Sequence, residues 1–344
     1  MSKKKDLGQF YTTNYKYILS NFQIPETCTH IIEPFAGKGD LLKYIHEQNE
    51  NINIEAYDLE PGNDQIIKND SFENPPKYEN MYVITNPPYL ARNKSKNKSV
   101  FDKYKQNDLY KCFIYQLIEN NVNGGILIIP LNFFCSVRKN DQELRKLFFN
   151  KYIINQLNIF EEKIFEDTSY NICSFQFDRK KDNNDIKTMI YPSKKCIYLN
   201  FNEQNNYMIG GELYELKQNK NIKIQRLTEK NKNNKNITTL LLKCIDNNQK
   251  NQIQLTFVEN KDIYIDNTPN LSARSYASMI IEPSISIERQ KELVNQFNVF
   301  LKENREKYHS LFLTNYRESN TIMRKRISFS FSFQIMNYLL SQEK

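Results

Sequence analysis

The chain has 344 residues, of which 39% are hydrophobic and 26% charged, enough for two domains each with its own core. Its 48 Lys+Arg against 40 Asp+Glu leave a net charge of +8. That excess favours a polyanionic partner, although scattered lysines also serve as a solvated face. The opening Met1-Ser2-Lys3-Lys4-Lys5-Asp6 lacks the apolar centre of a signal peptide, and the longest apolar run, 126–131, is far too short to span a bilayer. Six cysteines without a Cys-x-x-Cys pair read mostly as buried, reduced thiols, and three dispersed histidines suggest no metal site. The expectation is a soluble, cytoplasmic protein with no membrane association.

Taken in order, the first half alternates strand and helix signals. Residues 30–33 form a short apolar strand that ends in Glu-Pro. Residues 35–40 (Phe-Ala-Gly-Lys-Gly-Asp) turn the chain, and 41–47 start a helix. The next strand, 52–57, ends at Asp58; residues 63–69 lead to Asp70, and strand 82–85 runs straight into Asn86. Residues 109–119 carry apolar and aromatic side chains at helical spacing. Gly124-Gly125 ends that helix, and 126–129 has the unbroken apolar character of a strand buried on both faces. Residues 152–160 and 171–177 supply further strands. This rhythm predicts an α/β, Rossmann-like, doubly wound sheet with its site at the carboxyl ends of the strands, where Asp58, Asp70 and Asn86 all fall.

After Phe177 the rhythm stops. The polar stretch 179–185 reads as a linker, which places a boundary near 178–190 and domains at 1–180 and 190–344, the second less regular. Residues 323–340 fit two periods: Ile327, Phe329, Phe331 and Phe333 alternate, while Met323, Ile327, Phe331, Ile335 and Leu339 repeat every four. The length of the run favours a helix.

Three local features carry chemistry. Gly37 and Gly39 permit close approach of backbone N–H groups to a bound cofactor, although the spacing is neither a dinucleotide fingerprint nor a phosphate loop. Asp58, 19 residues after Gly39, suits a pair of ribose hydroxyls; a helix cap is the plainer alternative. Asp70 suits an amino group with Phe72 packed beside it, or else a surface turn. Asn86-Pro87-Pro88-Tyr89 is the sharpest signal. The Asn86 side-chain oxygen and the Pro87 carbonyl offer two acceptors for a flat exocyclic amine, the prolines stiffen the turn, and Tyr89 offers a ring for stacking.

Over roughly residues 7–178, this set resembles the amino-methylating DNA methyltransferases, in the N6-adenine class whose cofactor half precedes its target-recognition region. Gly8-Gln9-Phe10-Tyr11-Thr12-Thr13 is similar to the family's N-terminal motif at the methionine end of S-adenosylmethionine. Glu33-Pro34-Phe35-Ala36-Gly37-Lys38-Gly39 is similar to its cofactor loop. Asp58-Leu59-Glu60-Pro61 resembles the ribose-binding segment, Asp70-Ser71-Phe72 the adenine-binding segment, and Asn86–Tyr89 the catalytic one. Phe165, ahead of strand 171–177, resembles the aromatic that sandwiches a flipped base opposite Tyr89. The resemblance implies transfer of a methyl group from S-adenosylmethionine to N6 of an adenine flipped out of a short, specific double-stranded DNA sequence. It also implies that a separate restriction endonuclease is the genetic partner. Monomer and homodimer stay open.

Lys94, Lys96 and Lys98 follow the catalytic turn and are candidate phosphate contacts, in a stretch expected to move in the absence of DNA. In the second half, Arg274 (in the run Ser272 to Tyr276) and the group Arg317, Arg324, Lys325 and Arg326 are candidate DNA contacts. The segments around Arg317 and Arg324 faintly resemble enzymes that protect four-base palindromes such as CATG. Competing readings stay open. Ribosomal-RNA adenine methyltransferases typically carry Asn-Leu-Pro-Tyr or Asn-Ile-Pro-Tyr. Glutamine methyltransferases carry Asn-Pro-Pro-Tyr behind an extra leading domain, and a non-catalytic nucleic-acid-binding module on the same fold is a third possibility.

Overall fold

The computed structural model describes residues 8, 10–165, 168, 170–179, 185–247, 252–267, 275–317 and 323–342, with the side chains of 315–317 and 323 outside the description. The chain divides into two units, Met1–Tyr207 and Met208–Lys344.

In the first unit, a short helix α1 (Tyr15–Ile18) precedes β1 (His30–Glu33), α2 (Asp40–Gln48), β2 (Asn53–Asp58), β3 (Ile67–Lys68) and β4 (Tyr82–Thr85). Helices α3 (Ser99–Tyr104) and α4 (Leu109–Asn120) lead to β5 (Gly124–Pro130). Then come α5 (Asn132–Cys135), α6 (Lys139–Lys151), β6 (Tyr152–Phe160), β7 (Ile172–Arg179), β8 (Ile186–Tyr191) and β9 (Lys195–Leu199). All nine strands form one sheet in the order β3-β2-β1-β4-β5-β7-β6-β8-β9. The β3–β2, β2–β1, β1–β4, β4–β5 and β6–β8 pairs are parallel, and β5–β7, β6–β7 and β8–β9 antiparallel. The fold is therefore mixed α/β around a central, mostly parallel sheet, as the alternation predicts.

Every residue of β5 is buried, as its unbroken apolar sequence requires for a central strand covered on both faces. Strand order reverses between β1 and β4, and such a switch point opens a crevice at the strands' carboxyl ends. Across it, the Thr85 hydroxyl donates to Glu33 Oε1 at 2.5 Å, which ties the two strand ends together.

The division falls at Tyr207/Met208, beyond the boundary expected near 178–190. Strands β8 and β9 continue the first sheet beyond the polar linker, with Ile186, Ile190 and Tyr191 buried. A polar connection here joins strands within one sheet rather than two domains.

The second unit is more regular than its composition suggests. Strands β10 (Lys223–Arg226), β11 (Ile237–Lys243), β12 (Gln254–Phe257) and β13 (Tyr276–Glu282) form an antiparallel sheet in the order β10-β13-β11-β12. A 21-residue helix α7 (Ile287–Lys307), a hairpin of β14 (Thr314–Arg317) and β15 (Met323–Arg326), and helix α8 (Phe329–Ser341) complete it. The helix expected over 323–340 thus begins only at Phe329. Arg324 and its neighbours pair with β14, and the Ser328 hydroxyl caps α8 by accepting the Phe331 N–H at 3.1 Å.

Among the described residues, no helix is long and apolar enough to cross a membrane, and no three His, Cys, Asp or Glu gather as metal ligands. Cys112, Cys173 and Cys244 are buried, Cys28 and Cys135 partly so, and Cys196 is exposed.

Candidate active site

A cavity of about 500 Å³ opens at the switch point, within the usual size range of a small-molecule site. Its walls come from the segments singled out above. Tyr11, Phe35, Gly37, Asp58 and Leu59 line it, as do Asp70, Ser71, Phe72, Asn86 and Pro88.

Gly37 has φ +55°, a left-handed conformation that side chains disfavour, and an added Cβ would stand 3.3 Å from the Tyr11 ring. Its N–H donates to Asp58 Oδ2 at 2.8 Å, while the Glu60 N–H donates to Oδ1 at 2.8 Å. Those two bonds leave acceptor capacity on both oxygens of a group that has about four lone-pair sites, which suits a vicinal diol. Burial raises the Asp58 pKa, and the backbone donors oppose that rise. Asp70 Oδ1 accepts the Phe72 N–H at 3.0 Å and the Glu73 N–H at 3.3 Å, so this carboxylate caps its own turn at the cavity wall. The Ser71 hydroxyl donates to Pro34 O at 2.9 Å, and Phe72 packs on Phe35 with ring centroids 5.1 Å apart.

Not every predicted cofactor residue reaches the cavity wall. Glu33 is wholly buried against Thr85, with Oε2 lacking a hydrogen-bond partner, and burial pushes its pKa up to about 8. Pro34 and Ala36 shape the turn behind the wall, and Gly39 is the N-cap residue before α2. Gly8 and Thr12 hold the Asn86–Tyr89 turn instead. Gly8 O accepts the Tyr89 N–H at 2.9 Å, and a Cβ on Gly8 (φ +69°) would stand 2.6 Å from Tyr89 O.

Asn86 is 8% exposed at the cavity edge. Its Nδ2 donates to Phe10 O at 2.8 Å and to Thr12 Oγ1 at 3.0 Å, which uses both amide hydrogens and fixes the side-chain oxygen as an acceptor. The Tyr89 hydroxyl stands within reach of two acceptors, Asn86 Oδ1 and Ile128 O, the latter at 2.8 Å. One phenolic proton serves one of them at a time. When it turns to Ile128, Asn86 Oδ1 is released to an incoming N–H.

Tyr89 and Phe165 share a ring partner in Phe10. Phe10 stacks on Tyr89 at 5.1 Å and on Phe165 at 5.7 Å, each at 27°, and Tyr89 is only 3% exposed. Phe10 carries no pattern signal of its own in the sequence beyond its place in a motif, so this stacking is not legible there. Lys94 and Lys96 line the cavity. Lys98 Nζ is committed to its own loop, donating to Arg92 O and, at 2.6 Å, to Ser95 O. Arg324, Lys325 and Arg326 are half-buried on β15, and Arg317 lies on β14, with its side chain outside the description. Ser272 and Arg274 lie outside the described residues.

Residues 15–165 match the model of the Eco57I restriction-modification methylase family, a stretch that covers less than half of the chain. No curated protein matches. Solved structures with partial similarity include the type I restriction-modification methyltransferase subunit from Streptococcus thermophilus. It shows 15% identity over 54% of this chain and 48% of that one, with a TM-score of 0.39. The type IIG restriction endonuclease BpuSI shows 14% identity over 66% and 36%, TM-score 0.43. DrdV, solved in complex with DNA, shows 13% identity over 70% and 35%, TM-score 0.45. The chain spans about half the length of the first of these and about a third of the other two.

Proposed function

We propose that the chain transfers a methyl group from S-adenosylmethionine to the N6 amino group of an adenine flipped from a specific double-stranded DNA sequence. The observation that carries this reading is the Asn86 amide, clamped through both hydrogens by Phe10 O and Thr12 Oγ1 at the edge of the cavity. Only a fixed acceptor serves here, because the amine to be methylated must be oriented rather than deprotonated by a strong base. The match of residues 15–165 to a restriction-modification methylase family supports the same reading.

The cavity residues fit the cofactor. Asp58 would take the ribose hydroxyls, Asp70 the adenine amino group, and Phe72 the ring, with Gly37 allowing close approach of the backbone. S-adenosylmethionine supplies, when bound, a methyl group on a sulfonium that is an excellent leaving group. The chain's own part is orientation. Asn86 Oδ1 and Pro87 O accept the two N6 hydrogens, one of which leaves as a proton to solvent once the nitrogen carries the methyl group; Pro88 stiffens the turn, and Tyr89 turns its hydroxyl to donate to Ile128 O. Phe10 leaves the face of Tyr89 so that the base stacks there, with Phe165 as the second aromatic. Lys94 and Lys96 at the rim, Lys98, Arg274, Arg317, Arg324, Lys325 and Arg326 are the proposed DNA contacts. A recognition domain in the second unit, a separate endonuclease partner and a cytoplasmic location belong to the same proposal.

Turnover of labelled S-adenosylmethionine on unmethylated duplex DNA, measured beside cofactor binding, tests this reading. Asn86→Ala is expected to abolish turnover and keep the cofactor dissociation constant within about twofold, because the amide acts on the amine. Asp58→Ala is expected to weaken cofactor binding at least about tenfold, the loss of one charged hydrogen-bonding group. An Asn86→Ala protein with wild-type turnover would remove the mechanism.

A further inference from the structure

The Asn86–Leu90 turn has a second support, which comes from a buried carboxylate outside the cavity. Asp108 immediately precedes α4 and is 5% exposed. Its Oδ1 accepts the Leu90 backbone N–H at 3.1 Å, and its Oδ2 accepts the Tyr170 hydroxyl at 3.1 Å. The Leu109 N–H returns a bond to Leu90 O at 3.1 Å. Tyr170 stands edge-on to Tyr89, with centroids 6.1 Å apart at 82°, and Tyr110 does the same at 6.2 Å and 88°. One carboxylate therefore binds the end of the turn directly and reaches the Tyr89 ring through Tyr170. A surface cap before a helix would serve α4 without the cost of burying a charge.

We propose that Asp108 is a positioning residue for methyl transfer, its ionised carboxylate fixing Leu90 and, through Tyr170, the plane of Tyr89. The inference rests on the function proposed above and adds a residue to it. The groups that face Asp108 are Lys111, Tyr110 and Cys112 on its own helix, Tyr89 on the turn and Tyr170 ahead of β7. Lys111 lends its positive field but bonds Asp141 of α6 at 2.5 Å and Asn107 Oδ1 at 2.9 Å. Burial lifts the Asp108 pKa to about 6, against the opposing pull of Lys111, Tyr170 and the backbone donors. Below that pH the carboxyl carries a proton, one oxygen becomes a donor, and the two-acceptor clamp is lost. Turnover should therefore fall as pH drops through about 6.

The test compares full-length wild type with Asp108→Asn, Asp108→Ala and Tyr170→Phe. In Asp108→Asn the side chain keeps one acceptor, and kcat should drop about 10- to 100-fold, the cost of slight misplacement. Its cofactor dissociation constant should stay put, and the acid limb of the pH profile should disappear. Tyr170→Phe should lose less and keep the limb. Hydrogen exchange at the Leu90 amide should speed up about tenfold or more in Asp108→Ala, since the amide loses its acceptor. The Tyr89 amide, bonded to Gly8, and the β5 amides should not change. An Asp108→Asn enzyme with wild-type kcat and an intact acid limb would overturn the proposal, as would equal losses of turnover and cofactor binding. If the wild type labels no DNA, the proposed function falls, and Leu90 exchange alone then decides whether Asp108 holds the turn.

Discussion

At the scale of single residues, the site works by removing choices. Asn86 cannot rotate its amide without giving up Phe10 O and Thr12 Oγ1, so its oxygen is an acceptor before any substrate arrives. Glu33 shows the same economy in a different form. It is wholly buried, accepts the Thr85 hydroxyl and the Phe35 N–H on Oε1, and has its pKa pushed up to about 8 by burial. An unfolded glutamate titrates near about 4.3. The folded pKa lies above the unfolded one, so the folded state binds the extra proton between those values. The stability this group contributes is complete below about pH 4.3 and is lost as pH rises through about 8. Glu33→Gln keeps the shape without the charge. Without cofactor, its melting temperature relative to wild type is expected to climb by several degrees from about pH 5 to about pH 8.5, about 2–4 °C per kcal/mol. Parallel melting curves over that range would contradict the assignment.

At the scale of elements, what is legible in the sequence is local. The strand ending in Glu33-Pro34, the glycine turn, Asp58 at the end of β2 and the Asn86–Tyr89 turn after β4 each lie within a few residues of their own signals. All stand where those signals put them. What is not legible depends on distant partners. The Arg324–Arg326 stretch satisfies a helical period, yet its backbone pairs with Thr314–Arg317, and no local pattern announces a hairpin. Phe10 is hidden for the same reason: its ring partners lie 79 and 155 positions away, at Tyr89 and Phe165. Helix α8 starts where a cap exists, at Ser328. Ser328→Ala should lower the stability of the second unit by about 1 kcal/mol. Denaturant unfolding measures this, and an unchanged midpoint would mean that packing of Phe331, Ile335 and Leu340 alone sets the helix start.

At the scale of the whole molecule, the charge of +8 matters only if it is concentrated where a polyanion lies. The hairpin offers three consecutive cations on one strand, and a two-stranded ribbon is one of the shapes that a DNA groove admits. Replacing Arg324, Lys325 and Arg326 together by alanine is expected to weaken duplex binding. The salt slope of log K should also fall, by about 0.9 for each phosphate that is no longer neutralised. An unchanged slope would take the hairpin out of the interface. Domain layout is the least legible property at this scale, because a polar linker inside a sheet and one between domains have the same composition. Composition therefore breaks the chain ahead of β9, which the first sheet in fact pairs to β8.

The central claim is the identity of the methylated atom, and product analysis tests it most directly. Purified protein is incubated with labelled S-adenosylmethionine and unmethylated duplex DNA, with RNA and a release-factor protein in parallel. The labelled product is then identified by mass spectrometry and its sequence context mapped. The account predicts N6-methyladenine in one short DNA sequence and its loss in Asn86→Ala. Label found only in RNA, in a glutamine side chain or on cytosine would contradict it.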